Sequence, residues 1–118
     1  MLVSLKSRVS GSLDDLGLDV RSLARAEGIS PRTVRNVFDE IGTTPARYIR
    51  QARMTRAQRL LRSTNLRIAD IAALTGFADH STMTRVFRRD LGRSPRDYRD
   101  AYRTDDYGAS LPEPGSKS

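Results

Sequence analysis

Leu18-Asp-Val-Arg-Ser-Leu-Ala-Arg-Ala-Glu-Gly28 and Leu66-Arg-Ile-Ala-Asp-Ile-Ala-Ala-Leu-Thr-Gly76 are the two stretches whose comparison decides the fold. Leu18, Val20, Leu23, Ala24 and Gly28 recur as Leu66, Ile68, Ile71, Ala72 and Gly76, 48 residues later. The likeness continues beyond them: Val34, Val37 and Phe38 return as Met83, Val86 and Phe87 at an offset of 49. Ile41, Gly42, Pro45 and Tyr48 then return as Leu91, Gly92, Pro95 and Tyr98 at an offset of 50. Two single-residue insertions account for the drift, so the chain holds one structural unit twice.

Each copy reads as a short helix with a small residue, Ala24 or Ala72, then a glycine turn, then a second helix with one apolar side. Alanine suits a close helix crossing, and glycine accepts the left-handed conformation a tight turn needs. Val34, Val37, Phe38 and Ile41 are expected to bury the inner side of the second helix in the first unit. This is the grammar of a helix-turn-helix. One such unit is weak support, since many helical hairpins share it; two in register are specific.

Outward from the repeat, Ser30-Pro31, Thr44-Pro45 and Ser94-Pro95 each place an N-cap oxygen before a proline at the first helical position. Asp19 before Val20, Asn65 or Arg67 before Ile68, and Asp79 before the Met83–Phe87 stretch mark further starts of the same kind. Gly28, Gly42, Gly76 and Gly92 sit where helices should stop. Between the copies, residues 44–63 contain no glycine and carry Tyr48, Ile49, Ala52, Met54, Ala57, Leu60 and Leu61 at mostly helical spacing. One continuous helix of that length spans roughly 28 Å, near the ~34 Å between successive major grooves on one face of B-DNA. At the N-terminus, Leu2, Leu5, Val9, Leu13 and Leu16 have helical spacing, but Ser4, Ser7, Ser10, Gly11 and Ser12 lower the propensity. From Thr104 onward, few apolar residues and two prolines read as a disordered tail.

The composition narrows the function classes. The 118 residues leave room for one domain with a modest core and carry a formal charge of +7. Residues 19–103 hold 18 Arg against 9 Asp and Glu, a surplus of nine, so the folded part is the basic part. Such a surface attracts a polyanion, and arginine forks onto phosphate and guanine; a GC-rich genome would also raise the arginine content. The absence of Cys excludes a disulfide framework and a thiolate metal site. With no membrane-length apolar run and no secretory signal, the cytoplasm is the expected compartment.

Ile29-Ser-Pro-Arg-Thr-Val-Arg-Asn-Val-Phe38, Gly42-Thr-Thr-Pro-Ala-Arg-Tyr-Ile49 and Arg53-Met-Thr-Arg-Ala57, followed by Leu60-Leu61 and Ile71-Ala72, resemble the DNA-binding domain of the AraC family of bacterial transcription regulators. So does Gly76-Phe-Ala-Asp-His-Ser81, through Arg85-Val-Phe87, to Gly92-Arg-Ser-Pro95 and Tyr98. The resemblance covers residues 18–103; Met83 stands where the family usually has an aromatic residue. It implies duplex DNA as the partner and a regulator that commonly activates transcription, with RNA polymerase as the machinery acted on. Many members carry a sensor or dimerisation domain ahead of this one, so the chain reads as a stand-alone reader or as the DNA-binding part of a longer protein. No cofactor is implied.

In a helix-turn-helix the second helix enters the major groove with its N-terminal end leading, so reading residues should be polar, early in that helix and off its buried face. The first unit offers Arg32, Arg35 and Asn36, with Thr33 beside them; Asp39 and Glu40 come later and should be held away from phosphate. The second offers His80, Ser81, Thr84 and Arg85, with Arg88 and Arg89 as phosphate contacts. The resemblance agrees with these positions.

Blander readings compete with each. Any one of these side chains could be an ordinary solvated position. His80 is the only histidine, too little for a metal site, and Asp79 beside it is better read as an N-cap. Arg47, Arg50, Arg53, Arg56, Arg59 and Arg62 do not form one DNA-facing stripe, because a spacing of three slips by roughly 60° per step. Arg53 matches a position that is structural in the family. Tyr48, Tyr98, Phe38, Phe77 and Phe87 suit core packing better than base stacking. A nonspecific basic module is the main rival; a nucleic-acid enzyme lacks a carboxylate cluster, a nucleophile–base pair or a phosphate-cradling loop.

The sequence therefore predicts an all-α domain of about seven helices, two helix-turn-helix subdomains joined by a long central helix. Its expected parts are an N-terminal segment with a weak helix (1–17) and a DNA-binding domain (18–103) with a tail behind it (104–118). Within the domain the first unit is placed at 19–41, the linker helix at 44–63, the second unit at 67–91 and the closing helix at 94–103.

Overall fold

The computed structural model describes residues 1–110, with side chains through Arg103. Seven helices follow in order: α1 Leu2–Gly11, α2 Val20–Glu27, α3 Pro31–Asp39, α4 Pro45–Ser63, α5 Ile68–Leu74, α6 His80–Leu91 and α7 Pro95–Ser110. No strand occurs among the described residues, and the all-α class with about seven helices holds.

The helix starts are set by local chemistry. Ser22 donates its backbone N–H to the Asp19 carboxylate at 2.8 Å while Asp19 N–H donates to the Ser22 hydroxyl at 2.9 Å, a reciprocal cap on α2. Ser30, Thr44 and Ser94 each accept from the backbone N–H three residues on, at 3.1, 3.2 and 3.0 Å, and each is followed by proline. Helices α1 and α5 start without a side-chain cap; at the start of α5, Arg67 pairs with Asp70 instead, at 3.0 Å.

The hydrophobic residues form two cores. The first gathers Leu5, Val9, Leu13, Leu18, Leu23, Ala24, Val34, Phe38 and Ile49. The second gathers Met54, Ala57, Leu61, Ile71, Ala72, Phe77, Met83, Val86 and Phe87. The central helix belongs to both: Ile49 in its first half enters one core, and Met54, Ala57 and Leu61 enter the other. It packs on α1 and α3 at one end and on α5 and α7 at the other.

Four sequence expectations are corrected. Helix α1 is an integral part of the first core, with Leu5 and Val9 fully buried, not a weak segment outside the domain. The serines that lower its propensity, Ser4, Ser7 and Ser10, lie on its exposed side, and burial of the i, i+4 apolar pair outweighs them. Ser4 and Arg8 also donate to the Glu27 carboxylate, tying α1 to α2. Leu16 does not join that face, because the helix ends at Gly11 and Leu16 is 63% exposed in the loop.

Ile41 is not on the inner face of the second helix. Helix α3 ends at Asp39, which leaves Ile41 in the following turn, 44% exposed, and Val37 only half-buried. The closing helix runs on to Ser110, so residues 104–110 are helical where a tail was expected; once a helix is nucleated, each added residue costs little. The rest of that expectation, residues 111–118, lies outside the described residues.

Candidate nucleic-acid interface

The second helix of each unit is pinned by its apolar side and free on the other. In α3, Val34 and Phe38 are fully buried, which leaves Arg32, Arg35 and Asn36 on the exposed side. In α6, Met83, Val86 and Phe87 are buried, and His80, Ser81, Arg85 and Arg88 are exposed, with Thr84 half-buried between them. This is the 3.6-residue periodicity sorting one face inward and one face outward.

The structure brings five of the eight candidate residues together. His80, Ser81, Thr84, Arg85 and Arg88 line one shallow concavity on α6. Arg35 and Asn36 stand apart from them, on the wall of a cleft of about 940 Å³ between the two units, which Ala78 and Thr82 line from the other side. The exposed edge of α3 and the first turn of α6 therefore open onto the same cleft. Arg32 lies outside this lining, exposed in the first turn of α3.

Charge pairing separates available cations from engaged ones. Among the described residues, ion pairs join Arg8 to Glu27, Arg50 to Asp90, Arg67 to Asp70 and Arg89 to Asp90. Arg32, Arg35, Arg85 and Arg88 take part in none of them. Arg89, read from the sequence as a phosphate contact, is held by Asp90 at 3.0 Å.

The arginines of α4 diverge as the 60° slip requires. Arg50 reaches toward Asp90, Arg53 turns to backbone carbonyls of the α1–α2 loop, and Arg62 donates to the Tyr98 hydroxyl at 2.8 Å and lies over the Tyr102 ring. Sequence reasoning passed over Thr44 and Arg50, which line the cleft beside Arg35 and Asn36. The spacing of Arg50 from its neighbours could not single it out; only the crossing of α4 over the cleft does. The aromatic residues sit inward: Phe38 and Phe87 are fully buried, and Tyr48 packs on Phe38 with ring centroids 5.1 Å apart. No group of His, Cys, Asp and Glu able to hold a metal ion occurs among the described residues.

The cap of the second reading helix carries a pH signature. The Asp79 carboxylate accepts the Thr82 backbone N–H at 2.7 Å. This bond, the Thr82 hydroxyl and the nearby positive charge of Arg85 hold its pKa below the ordinary aspartate value of 3.8. A lowered folded-state pKa means that the contribution is complete above 3.8 and is lost as pH falls through the lower folded value. Melting temperatures taken from about pH 6 down to about pH 2 should fall less for Asp79→Asn than for the natural chain, since Asn caps without titrating. Parallel curves would remove Asp79 from the acid transition.

Two tandem helix-turn-helix units, each with an exposed polar side on its second helix, define the class as a double helix-turn-helix domain. A helix-turn-helix domain family matches residues 23–101. The chain is 37% identical over 98 residues to the transcriptional activator NphR of a Rhodococcus species, covering 83% of this chain and 29% of that protein. Its fold is similar to the DNA-binding domain of the global transcriptional factor AdpA, solved in complex with a target DNA. That likeness has a TM-score of 0.79 and 32% identity over 87% of this chain and 93% of that one. An AraC-type transcriptional regulator from Chromobacterium violaceum superposes with a TM-score of 0.76 and 25% identity, over 86% and 90% of the two chains.

The chain belongs to the AraC-type helix-turn-helix family of DNA-binding transcription regulators, which are not enzymes. It spans less than a third of the length of the curated relative NphR.

Proposed function

We propose that this chain is the DNA-reading part of a bacterial transcription activator and that it sets α3 and α6 into two successive major grooves on one face of the duplex. The observation that carries the reading is the pairing of two outward polar faces, one per unit, with a single helix of 19 residues running between the cores. Arg32, Arg35 and Asn36 read one half-site; His80, Ser81, Thr84 and Arg85 read the other, with Arg88 on phosphate. Arginine forks onto guanine O6 and N7, and asparagine pairs with adenine. Because the two faces differ in sequence, the site is asymmetric.

Two further elements of the reading concern the larger assembly. The activity of NphR as an activator supports RNA polymerase as the eventual target, and the share of that relative's length left uncovered supports an additional sensor or dimerisation domain. The working compartment is the cytoplasm, at the nucleoid; no helix among the described residues is long and apolar enough to cross a membrane.

Selection of bound duplexes from a random-sequence pool at near-physiological salt tests the reading. A bipartite, asymmetric motif with halves about one helical turn apart is the expected result. A folded sample that recovers no motif would favour nonspecific binding through the arginines. On the selected site, Arg35→Ala should cost about 1–3 kcal/mol and relax the preference at one base pair. An equal loss on unrelated duplexes would reassign Arg35 to phosphate.

A further inference from the structure

Arg53 stands at the midpoint of α4, between Ile49, which enters the first core, and Met54, which enters the second. Its guanidinium is half-buried and spreads onto two carbonyls of the loop that follows α1. Nε donates to the Leu13 oxygen at 3.1 Å and one terminal nitrogen donates to the Asp15 oxygen at 2.7 Å. The second unit meets the same point through Gly76, in the turn between α5 and α6. Gly76 is buried with φ at +80°, and a Cβ there would run into the Leu13 carbonyl oxygen and the Arg53 guanidinium.

A carbonyl of the first unit, the fork of the central helix and the turn of the second unit thus stack at one spot. Beside this spot the units are parted by the cleft, with Leu18, Val20 and Ile49 on one wall and Phe77, Ala78 and Thr82 on the other. The Arg50–Asp90 approach, at 4.0 Å between exposed groups, is a loose contact.

We propose that Arg53 is a positioning residue that fixes the separation and tilt of the two reading helices, with the bare backbone of Gly76 seating the second unit against it. This rests on the reading that α3 and α6 engage two grooves of one duplex. A planar fork with two acceptors in fixed directions defines an orientation, which a single ammonium does not. Burial favours this use: it lowers the Arg53 pKa, opposed by the Asp15 charge, and a partly desolvated guanidinium holds its acceptors more strictly than a solvated one. Rotation about this point would swing α6 relative to α3, and groove spacing of ~34 Å leaves little tolerance for that.

The chain has no cysteine, so paired spin labels can be placed cleanly at Ala26→Cys on α2 and Ala73→Cys on α5, both exposed. In the free protein, Arg53→Ala should broaden the label-to-label distance distribution while the helical circular dichroism is kept. On DNA, the same change should weaken binding to the selected bipartite site by about tenfold, or about 1.4 kcal/mol. It should also flatten the penalty for one inserted or deleted base pair between the halves, and leave binding to an isolated half-site unchanged.

Arg53→Lys, which keeps the charge and the stem, decides the matter if Arg53→Ala does not fold; it should broaden the distances as well. A folded Arg53 variant with wild-type distances, or with an undiminished spacing penalty, overturns the proposal. The distance measurement uses no DNA, so failure of the two-groove reading and failure of the pivot give different results: the former leaves the broadening intact, the latter abolishes it.

Discussion

Phe87→Ala lowers the unfolding free energy by about 3–5 kcal/mol. The ring is fully buried in the second core among Met83, Ile71 and Ala57, and Tyr98 meets it edge-on with centroids 6.1 Å apart. Truncation removes the whole ring and leaves a cavity that the neighbouring helices cannot close, because α4 is held at its other end by the first core. For a domain of this size the melting temperature should fall by at least about 12 °C. Urea unfolding followed by circular dichroism measures the change directly. Since the two cores share α4, the variant should still unfold in one transition. An unchanged midpoint would remove Phe87 from the core and reopen aromatic stacking on bases.

Affinity for duplex DNA should collapse with salt. Each phosphate neutralised by a cation contributes about −0.9 to the slope of log affinity against log salt, so contact with about six to ten phosphates costs roughly 1,000- to 100,000-fold between about 50 and 200 mM. Of the exposed arginines outside the ion pairs, Arg32, Arg35, Arg85 and Arg88 on α3 and α6, and Arg47, Arg93 and Arg96 near helix starts, are expected to supply the charge. Arg53, Arg62, Arg99 and Arg103 should contribute little, because they are committed to carbonyls or to Tyr98 within the fold. Fluorescence anisotropy across a salt series tests this, and a flat plot would contradict an electrostatic interface.

Arg99 and Arg103 repeat, at the end of α4, what Arg53 does at the end of α1. Arg99 donates to the Leu61 and Thr64 carbonyls at 3.1 and 3.2 Å, and Arg103 donates to Thr64 and to the Asn65 side chain at 2.6 and 2.7 Å. The internal repeat thus extends to how each unit closes: a guanidinium from the helix after the second helix of each unit donates to carbonyls at or just beyond the end of the helix that precedes the unit. In that sense α4 closes the first unit, as α7 closes the second, and opens the second, as α1 opens the first.

Much of this architecture could be read from the chain alone. The duplicated pattern of Leu23, Ala24 and Gly28 with Ile71, Ala72 and Gly76, the Ser-Pro and Thr-Pro starts and the glycine stops are all local signals. They act over one helical turn, through capping bonds and permitted dihedral angles, so residue order is enough to state them. The outward candidates on α3 and α6 follow from the same periodicity, because burying Val34 and Phe38 or Met83 and Phe87 leaves their neighbours outside.

Tertiary structure alone decided the rest. The low-propensity helix α1 became core because Leu5 and Val9 found a surface to bury against, and Ile41 was left out because α3 ended two residues earlier. Identical arginines of α4 became an ion-pair partner, a donor to loop carbonyls and a tyrosine donor according to which distant carboxylate, carbonyl or hydroxyl lay beside each. Those outcomes depend on groups some 36 to 40 residues apart meeting in space. Periodicity reports which way a side chain points along its own helix, and carries no information about what the fold brings opposite it.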